Sequence, residues 1–206
     1  MTAKKLMTDN FVDETNPFTL FARWLDEAIA SEPNDPDAMA LSSVDSTGMP
    51  NVRMVLLKDW DDRGFVFYTN MNSQKGREIS ASGKAAAVFH WKSLRRQIRI
   101  RGITEPVTDA ESDAYFKSRR RISRLGAIAS NQSQPLDSRK TMLDRIAELE
   151  KVYPGDDIPR PAHWAGTRIK PLYIEFWQDG DFRLHDRSIF RRQTILEPWI
   201  HERWYP

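Results

Sequence analysis

Gln97-Ile98-Arg99-Ile100-Arg101 alternates polar or charged residues with isoleucine, the period-two pattern of a strand with one buried and one wet face. Gln97, Arg99 and Arg101 share one side, Ile98 and Ile100 the other. Similar segments recur at short intervals on the N-terminal side. Residues 85–91 come just before it, and Phe65-Val66-Phe67-Tyr68-Thr69 follows the turn residues Asp61-Asp62-Arg63-Gly64. Residues 38–46 and 52–58 flank Thr47-Gly48-Met49-Pro50. Short strands separated by Gly, Pro and Asp predict an antiparallel barrel or sandwich.

Helical signals surround these strands. Asn16 suits a helix cap and Pro17 the first helical position, and Phe18, Phe21, Leu25 and Ala28, with Leu20, Trp24 and Ile29 beside them, form an apolar stripe. A short helix is expected at 73–80. Thr108-Asp109-Ala110-Glu111 fits a capping box opening a helix to about Lys117. Further helices are expected at 123–129 and at 138–152, where Met142, Ile146, Leu149 and Val152 share a face. Strands resume from Ile169. Residues 1–15 are polar and aperiodic, which predicts a mobile arm, and 16–206 read as one mainly β domain with helices, of the α+β class.

Near the C-terminus, Pro171-Leu172-Tyr173-Ile174-Glu175-Phe176-Trp177 is rich in strand formers, and Arg183-Leu184-His185-Asp186-Arg187 follows. If that second stretch is extended, Arg183, His185 and Arg187 face one way. Two guanidiniums around an imidazole suit an anionic aromatic ligand; a solvated edge strand is the plainer alternative.

Composition narrows the chemistry. The chain has 206 residues, no cysteine and a net charge of +2, so disulfides, thiolate metal sites and cysteine nucleophiles are excluded and a reducing compartment fits. No window is apolar enough for a signal peptide or a membrane span, so the expected setting is the cytoplasm. The near-balanced charge argues against a nucleic-acid binder. Cations nevertheless cluster at 92–101 and 117–124, which suits small anions. Glycine-rich phosphate loops and the Gly-x-Ser-x-Gly elbow are absent, and the four histidines lack metal-ligand spacing. Tyr115, Arg119 and Ser123 recur every four residues and would line one face of an unbroken helix, three donors for a phosphate.

Taken in order, Arg53-Met54-Val55-Leu56-Leu57-Lys58, Phe67-Tyr68-Thr69-Asn70, His90-Trp91-Lys92-Ser93-Leu94-Arg95-Arg96-Gln97, Tyr115-Phe116-x-Ser118-Arg119, Ala129-Ser130-x-Gln132-Ser133 and Phe176-Trp177 followed by Arg183-Leu184-His185-Asp186-Arg187 resemble the pyridoxine (pyridoxamine) 5′-phosphate oxidase family. The resemblance runs from about Asn16 to Pro206. It implies an FMN-binding split β-barrel surrounded by helices, acting as a homodimer with shared sites, with no nucleic-acid or membrane partner. FMN would be held by Arg53 and Lys75 at its phosphate with Gln74 beside them, by Met54, Val55, Leu56, Leu57 and Lys58 along one strand, by Tyr68 and Thr69, and by Gln97 near the ring. Gln132, Ser133, Trp177 and Arg187 would come from the second subunit. Lys58, Tyr115, Arg119 and Ser123 would take the substrate phosphate, while Arg183 and His185 would meet the pyridine ring as the catalytic pair.

The implied reaction is oxidation of pyridoxamine or pyridoxine 5′-phosphate to pyridoxal 5′-phosphate with O2. Rival readings are another FMN split-barrel oxidoreductase, or a non-catalytic vitamin B6 phosphate or flavin carrier. Three positions depart from the family pattern. Arg120 replaces a proline, Ile128 a tryptophan, and Gln74 stands where an arginine often precedes the lysine; weaker cofactor or substrate retention is expected from them. The N-terminal arm also lacks the basic and tyrosine residues that cover the substrate in some members.

Overall fold

The computed structural model describes residues 11–206. Nine strands form one antiparallel sheet: β1 (Ala38–Val44), β2 (Pro50–Leu56), β3 (Asp59–Asp61), β4 (Gly64–Asn70), β5 (Lys84–Trp91), β6 (Arg96–Pro106), β7 (Trp164–Gln178), β8 (Asp186–Arg191) and β9 (Ile200–Arg203). The main path runs β2-β1-β5-β6-β7-β4-β3. Its two ends are consecutive in the chain, joined only by Leu57-Lys58. There the Leu57 amide donates to Asp37 O at 2.8 Å and the Lys58 amide to Val66 O at 2.9 Å. The sheet therefore returns on itself as a barrel, as the alternating sequence implies.

β7 pairs with β6 along most of its length but changes its other neighbour midway. Residues 164–169 pair with β4, and 173–178 with β8. Pro171, which has no N–H to donate, and a bulge at Leu172 separate the two halves, since Gly102 opposes Pro171 and Arg101 opposes Tyr173. The Leu172 carbonyl then accepts the Arg192 amide at 3.0 Å, beyond the end of β8. This divergence is the split of the barrel. Glycine at 102 is required because a Cβ there would lie 2.1 Å from the Lys170 carbonyl oxygen.

Helix α1 (Pro17–Ser31) plugs the barrel. The Asn16 side chain caps it, accepting the Phe18 amide at 2.9 Å, and Leu20, Phe21, Trp24 and Ala28 are fully buried. Phe21 meets Phe65 edge-on at 4.8 Å and Trp24 meets Phe176 at 5.2 Å. Each such side chain contributes about 1.5–3 kcal/mol by leaving water. Ile29, expected beside this stripe, is exposed instead, because it lies at the margin of the arc in the last turn. Of the arm expected at 1–15, residues 1–10 lie outside the described residues; Phe11 is buried against Trp24, with ring centroids 5.1 Å apart.

The remaining helices pack outside the barrel. Helix α2 (Gln74–Ser82) is capped by Ser73 and ends at Gly83 with φ 64°. Helix α3 (Asp109–Ser118) starts with the expected capping box. Helices α4 (Arg121–Ala129) and α5 (Arg139–Val152) complete a second cluster around Phe116, Leu125, Ile158 and Trp164. From α5 only Ile146 and Leu149 pack onto that cluster, and Val152, expected on the same face, is exposed. Replacing Gly102 with Ala should cost about 1–3 kcal/mol through overpacking at the split. Urea unfolding monitored by tryptophan fluorescence measures this, and an unchanged midpoint would contradict the close approach.

Candidate active site

β2, β4, α2, α3 and α4 surround a cavity of about 1120 Å³. Arg53, on β2, donates from Nη1 to Ser43 Oγ at 2.6 Å and Leu41 O at 3.2 Å, and from Nη2 to Glu78 Oε2 at 3.3 Å. Lys75, in the first turn of α2, lies on the same wall and donates to Gln132 Oε1 at 3.4 Å. Burial, and then repulsion from Arg53, hold the Lys75 ammonium below its ordinary pKa. A bound anion would relieve both effects. Gln74 does not line this cavity; its side chain bonds Glu78.

A second cationic group forms the opposite wall. Tyr68, Tyr115 and Trp164 stack in nearly parallel planes, with Tyr68 4.1 Å from Tyr115 and 5.3 Å from Trp164. The Arg119 guanidinium lies 4.8 Å over Trp164. Its Nη1 is buried without a hydrogen-bond partner, and burial lowers its pKa. Arg119 also lines the cavity, and a guanidinium on that wall suits a phosphate oxygen. Ser123 and Arg120 line the same space. Lys58 does too, but it is held by Asp37 at 2.7 Å.

Tyr115, Arg119 and Ser123 all line this cavity, although no single helix carries them, in keeping with the separate helices expected to about Lys117 and from 123. α3 ends at Ser118 and α4 begins at Arg121, with Arg119 and Arg120 extended between them. The kink directs Arg119 inward, where a continuous helix would have spaced the three residues along a line.

The wall also includes Met54, Val55, Leu56, Thr69 and Gln132, while Leu57 is buried in the barrel core. Where the resemblance implies Gln132 from a second subunit, the structure puts it in the chain's own cavity. The Asn70 amide donates to Ser130 O at 3.3 Å and tethers that loop to β4. Ser133, at φ 68°, is not on the wall. Gln97 lines an adjoining cavity of about 560 Å³ that shares Asp35 and Met54 with the first. Together the two spaces can hold an elongated ligand with an anionic end at Arg53 and Lys75.

Trp177, Arg183, His185 and Arg187 line neither space. The stretch 183–187 is not one extended strand, a correction to its sequence reading. Asp181–Arg183 is a short 3₁₀ turn, Phe182 and Arg183 have φ of 56° and 65°, and β8 begins only at Asp186. The loop has an internal hold: His185 Nδ1 lies 2.9 Å from Asp179 Oδ1 and 3.2 Å from Gly180 N, and its ring is 4.7 Å from Trp177. Arg183 therefore projects from an exposed turn and does not share a strand face with Arg187. Arg187 donates from Nε to Glu175 Oε1 at 2.8 Å, and Arg99 and Tyr173 bond Oε2 of the same buried carboxylate. Burial first, then the bond to Glu175, pushes Tyr173 up to about 12. Sequence reasoning passed over Glu175 and Glu78; the alternation Tyr173-x-Glu175 opposite Arg99 and Arg101 was the available signal for the first.

A barrel split at β7, with two groups of cations lining one cavity, defines a split-barrel protein. Residues 25–153 match the family described as pyridoxamine 5′-phosphate oxidase, and 164–206 match the pyridoxine 5′-phosphate oxidase C-terminal dimerisation region. This chain belongs to the pyridoxamine 5′-phosphate oxidase family. It is 60% identical, over the whole length of both chains, to a protein of Rhizobium leguminosarum bv. trifolii described as pyridoxine/pyridoxamine 5′-phosphate oxidase. A protein of Brucella anthropi with the same description is 57% identical over 97% of this chain and 98% of its own. The crystal structure of PhzG from Burkholderia lata 383, in complex with tetrahydrophenazine-1-carboxylic acid, is similar with a TM-score of 0.90 and 31% identity, covering 97% and 98% of the two chains. Among the described residues, no helix is long and apolar enough to cross a membrane.

Arg119 supplies a test of the cavity that needs no ligand. Replacing it with Met removes a desolvated, unpaired charge while keeping apolar contact with Trp164, so the ligand-free protein should gain roughly 1 kcal/mol. For a domain this size that raises the thermal midpoint by about 2–4 °C. Calorimetry that finds a lower midpoint would mean the cation is already satisfied within the chain.

Proposed function

We propose that this protein oxidises the 4′-carbon of pyridoxamine 5′-phosphate or pyridoxine 5′-phosphate to the aldehyde of pyridoxal 5′-phosphate. FMN would be the cofactor and O2 the final acceptor, yielding hydrogen peroxide and, by hydrolysis on the amine route, ammonia. The carrying observation is the buried, unpaired Arg119 donor beside Tyr115 and Ser123, in one cavity with the separate cation pair Arg53 and Lys75. Two phosphate esters need two such sets. Relatives of matching length that are described as oxidases of these vitamers support the reading.

Bound FMN would supply the two-electron acceptor that the side chains lack. Arg53 and Lys75 would hold its phosphate, the outer edge of β2 from Met54 to Leu56 would lie along it, and Thr69 and Gln97 would flank its length. Lys58, Tyr115, Arg119 and Ser123 would anchor the substrate phosphate and fix the ring at one end. The stacked wall of Tyr68, Tyr115 and Trp164 would keep water from that side.

The groups the family uses around the ring lie elsewhere on this chain. We therefore infer a homodimer in which Trp177 and Arg187 of one copy complete the cavity of the other. Exposed Phe182 and Leu184, and Val52 and Met54 on β2, supply apolar surface for such pairing. Arg183 and His185 would orient the pyridine and stabilise charge as the 4′-carbon is oxidised. A cytoplasmic setting accords with a chain free of cysteine.

Purified protein should be yellow, and anaerobic pyridoxamine 5′-phosphate should bleach it. A protein that binds the vitamer ester but leaves bound flavin oxidised would be a carrier, and one bleached only by other donors a different split-barrel oxidoreductase. Arg119→Ala should raise KM roughly tenfold or more with kcat nearly kept, the effect of losing charged phosphate bonds. Arg183→Ala should chiefly lower kcat. If neither constant moves in either variant, the assigned roles are wrong.

A further inference from the structure

Behind the Arg53 and Lys75 wall sits a carboxylate with no role in the reading above. Glu78 lies on the buried side of α2 and is only 6% exposed. Ser43 Oγ donates to its Oε2, Asn51 Nδ2 donates to Oε1 at 3.2 Å, Arg53 Nη2 reaches Oε2 at 3.3 Å, and the Gln74 amide adds a further bond. Burial alone would raise this carboxyl, but the bonds from Ser43, Asn51 and Gln74, and the charge of Arg53, hold it below its ordinary pKa. It is therefore ionised at neutral pH, a buried anion a short distance behind an anion-binding cavity.

A negative charge there opposes phosphate binding by simple Coulomb repulsion. Its retention calls for a compensating effect, and the geometry supplies one. Arg53 grows from β2, the outermost strand on its side of the sheet path, and a long guanidinium side chain loses about 2 kcal/mol of rotamer freedom when fixed. Ser43 accepts from Arg53 Nη1 at 2.6 Å while donating to Glu78, so hydroxyl and carboxylate grip both terminal nitrogens of the guanidinium. Residue 74 belongs to this unit: glutamine donates to Glu78 without competing with Arg53, whereas an arginine there would offer the carboxylate a second cation.

We propose that Glu78 is a positioning residue that clamps Arg53, through Ser43 and with support from Gln74, in the orientation that receives the terminal phosphate of the cofactor. The proposal rests on the reading that this cavity takes FMN. Glu78 touches neither cofactor nor substrate; it acts through Arg53 alone.

The test compares FMN with riboflavin, which lacks the phosphate, by quenching of flavin fluorescence on titration with apo-protein. Glu78→Gln keeps size and removes charge. If Glu78 clamps Arg53, FMN should bind about tenfold more weakly, the scale of a lost charge-assisted bond, while riboflavin affinity stays unchanged. In an Arg53→Met background the same change should no longer weaken FMN binding. Tighter FMN binding by Glu78→Gln alone would overturn the proposal, because the carboxylate would then act only as an opposing charge. An equal loss for FMN and riboflavin would also overturn it and assign Glu78 to packing. Should Glu78→Gln fail to fold, Ser43→Ala removes the shared hydroxyl and should give a smaller loss confined to FMN; no loss there counts against the clamp. Wild-type protein that binds neither flavin would instead sink the cofactor reading itself, an outcome distinct from all of these.

Discussion

A strand can hydrogen-bond to one neighbour on each side at any point along its length, and β7 uses fifteen residues to serve three. The exchange from β4 to β8 takes place where Pro171 has no amide to donate and Leu172 bulges out of register with β6. Gly102 permits it by letting the facing backbone come within side-chain range. The placing of the residues on β7 itself follows from this exchange. The half of β7 paired with β4 carries Trp164 to the stacked wall beside Arg119, whereas the half paired with β8 carries Glu175 and Trp177 toward a different face. A continuous ladder would have closed the barrel around both sets. The split separates them, so Glu175 and Trp177 stand away from the wall that carries Trp164.

Electrostatics divides the cations by task. Arg187 is paired with buried Glu175, Lys58 with Asp37 and Arg53 with Glu78. These pairs add little net stability where they are partly exposed, but they fix direction. Lys75 and Arg119 differ, since neither has a carboxylate within ion-pair distance among the described residues. Leaving desolvated cations unpaired costs stability that a ligand anion restores. The two cations with shifted-down pKa values on this cavity wall are these two, so the electrostatic cost is concentrated at the cavity.

The barrel was legible because alternation and turn residues are local signals. Gln97 to Arg101, the hairpin at Thr47-Gly48, the Asn16 cap and the capping box at Thr108 each depend on neighbours within a few positions. What escaped depends on distant partners. The gap between helices ending near Lys117 and starting near 123 was legible, but the extended Arg119-Arg120 link that fills it has no proline or glycine to announce it. The left-handed turn at Phe182 and Arg183 likewise lacks a glycine at those positions. No sequence reading singled out Glu78 or Glu175. Only the barrel brings Ser43, Asn51 and Arg53 to the first, and Arg99 and Arg187 to the second. Candidates on β2, β4 and α3 share one cavity wall, and the resemblance already implied a separate place for Trp177 and Arg187; the turn that parts Arg183 from Arg187 had no local signal.

The three departures from the family pattern now have distinct physical consequences. Ile128 is partly buried against the second core cluster, where a smaller side chain alters packing beneath α4 and α5 and adds no polar group to the cavity. Arg120 supplies an exposed cation at the cavity rim, in the extended link where a proline would also fit, since its φ is −54° and it precedes the first helical residue of α4. It can strengthen the field drawing a phosphate dianion inward without changing the wall that holds it. Gln74 bears most directly on the site, because it bonds the carboxylate that fixes Arg53. A neutral amide at this position leaves Arg53 as the only cation within ion-pair range of Glu78 among the described residues. One fewer positive charge near the cavity is thus matched by one better-oriented one.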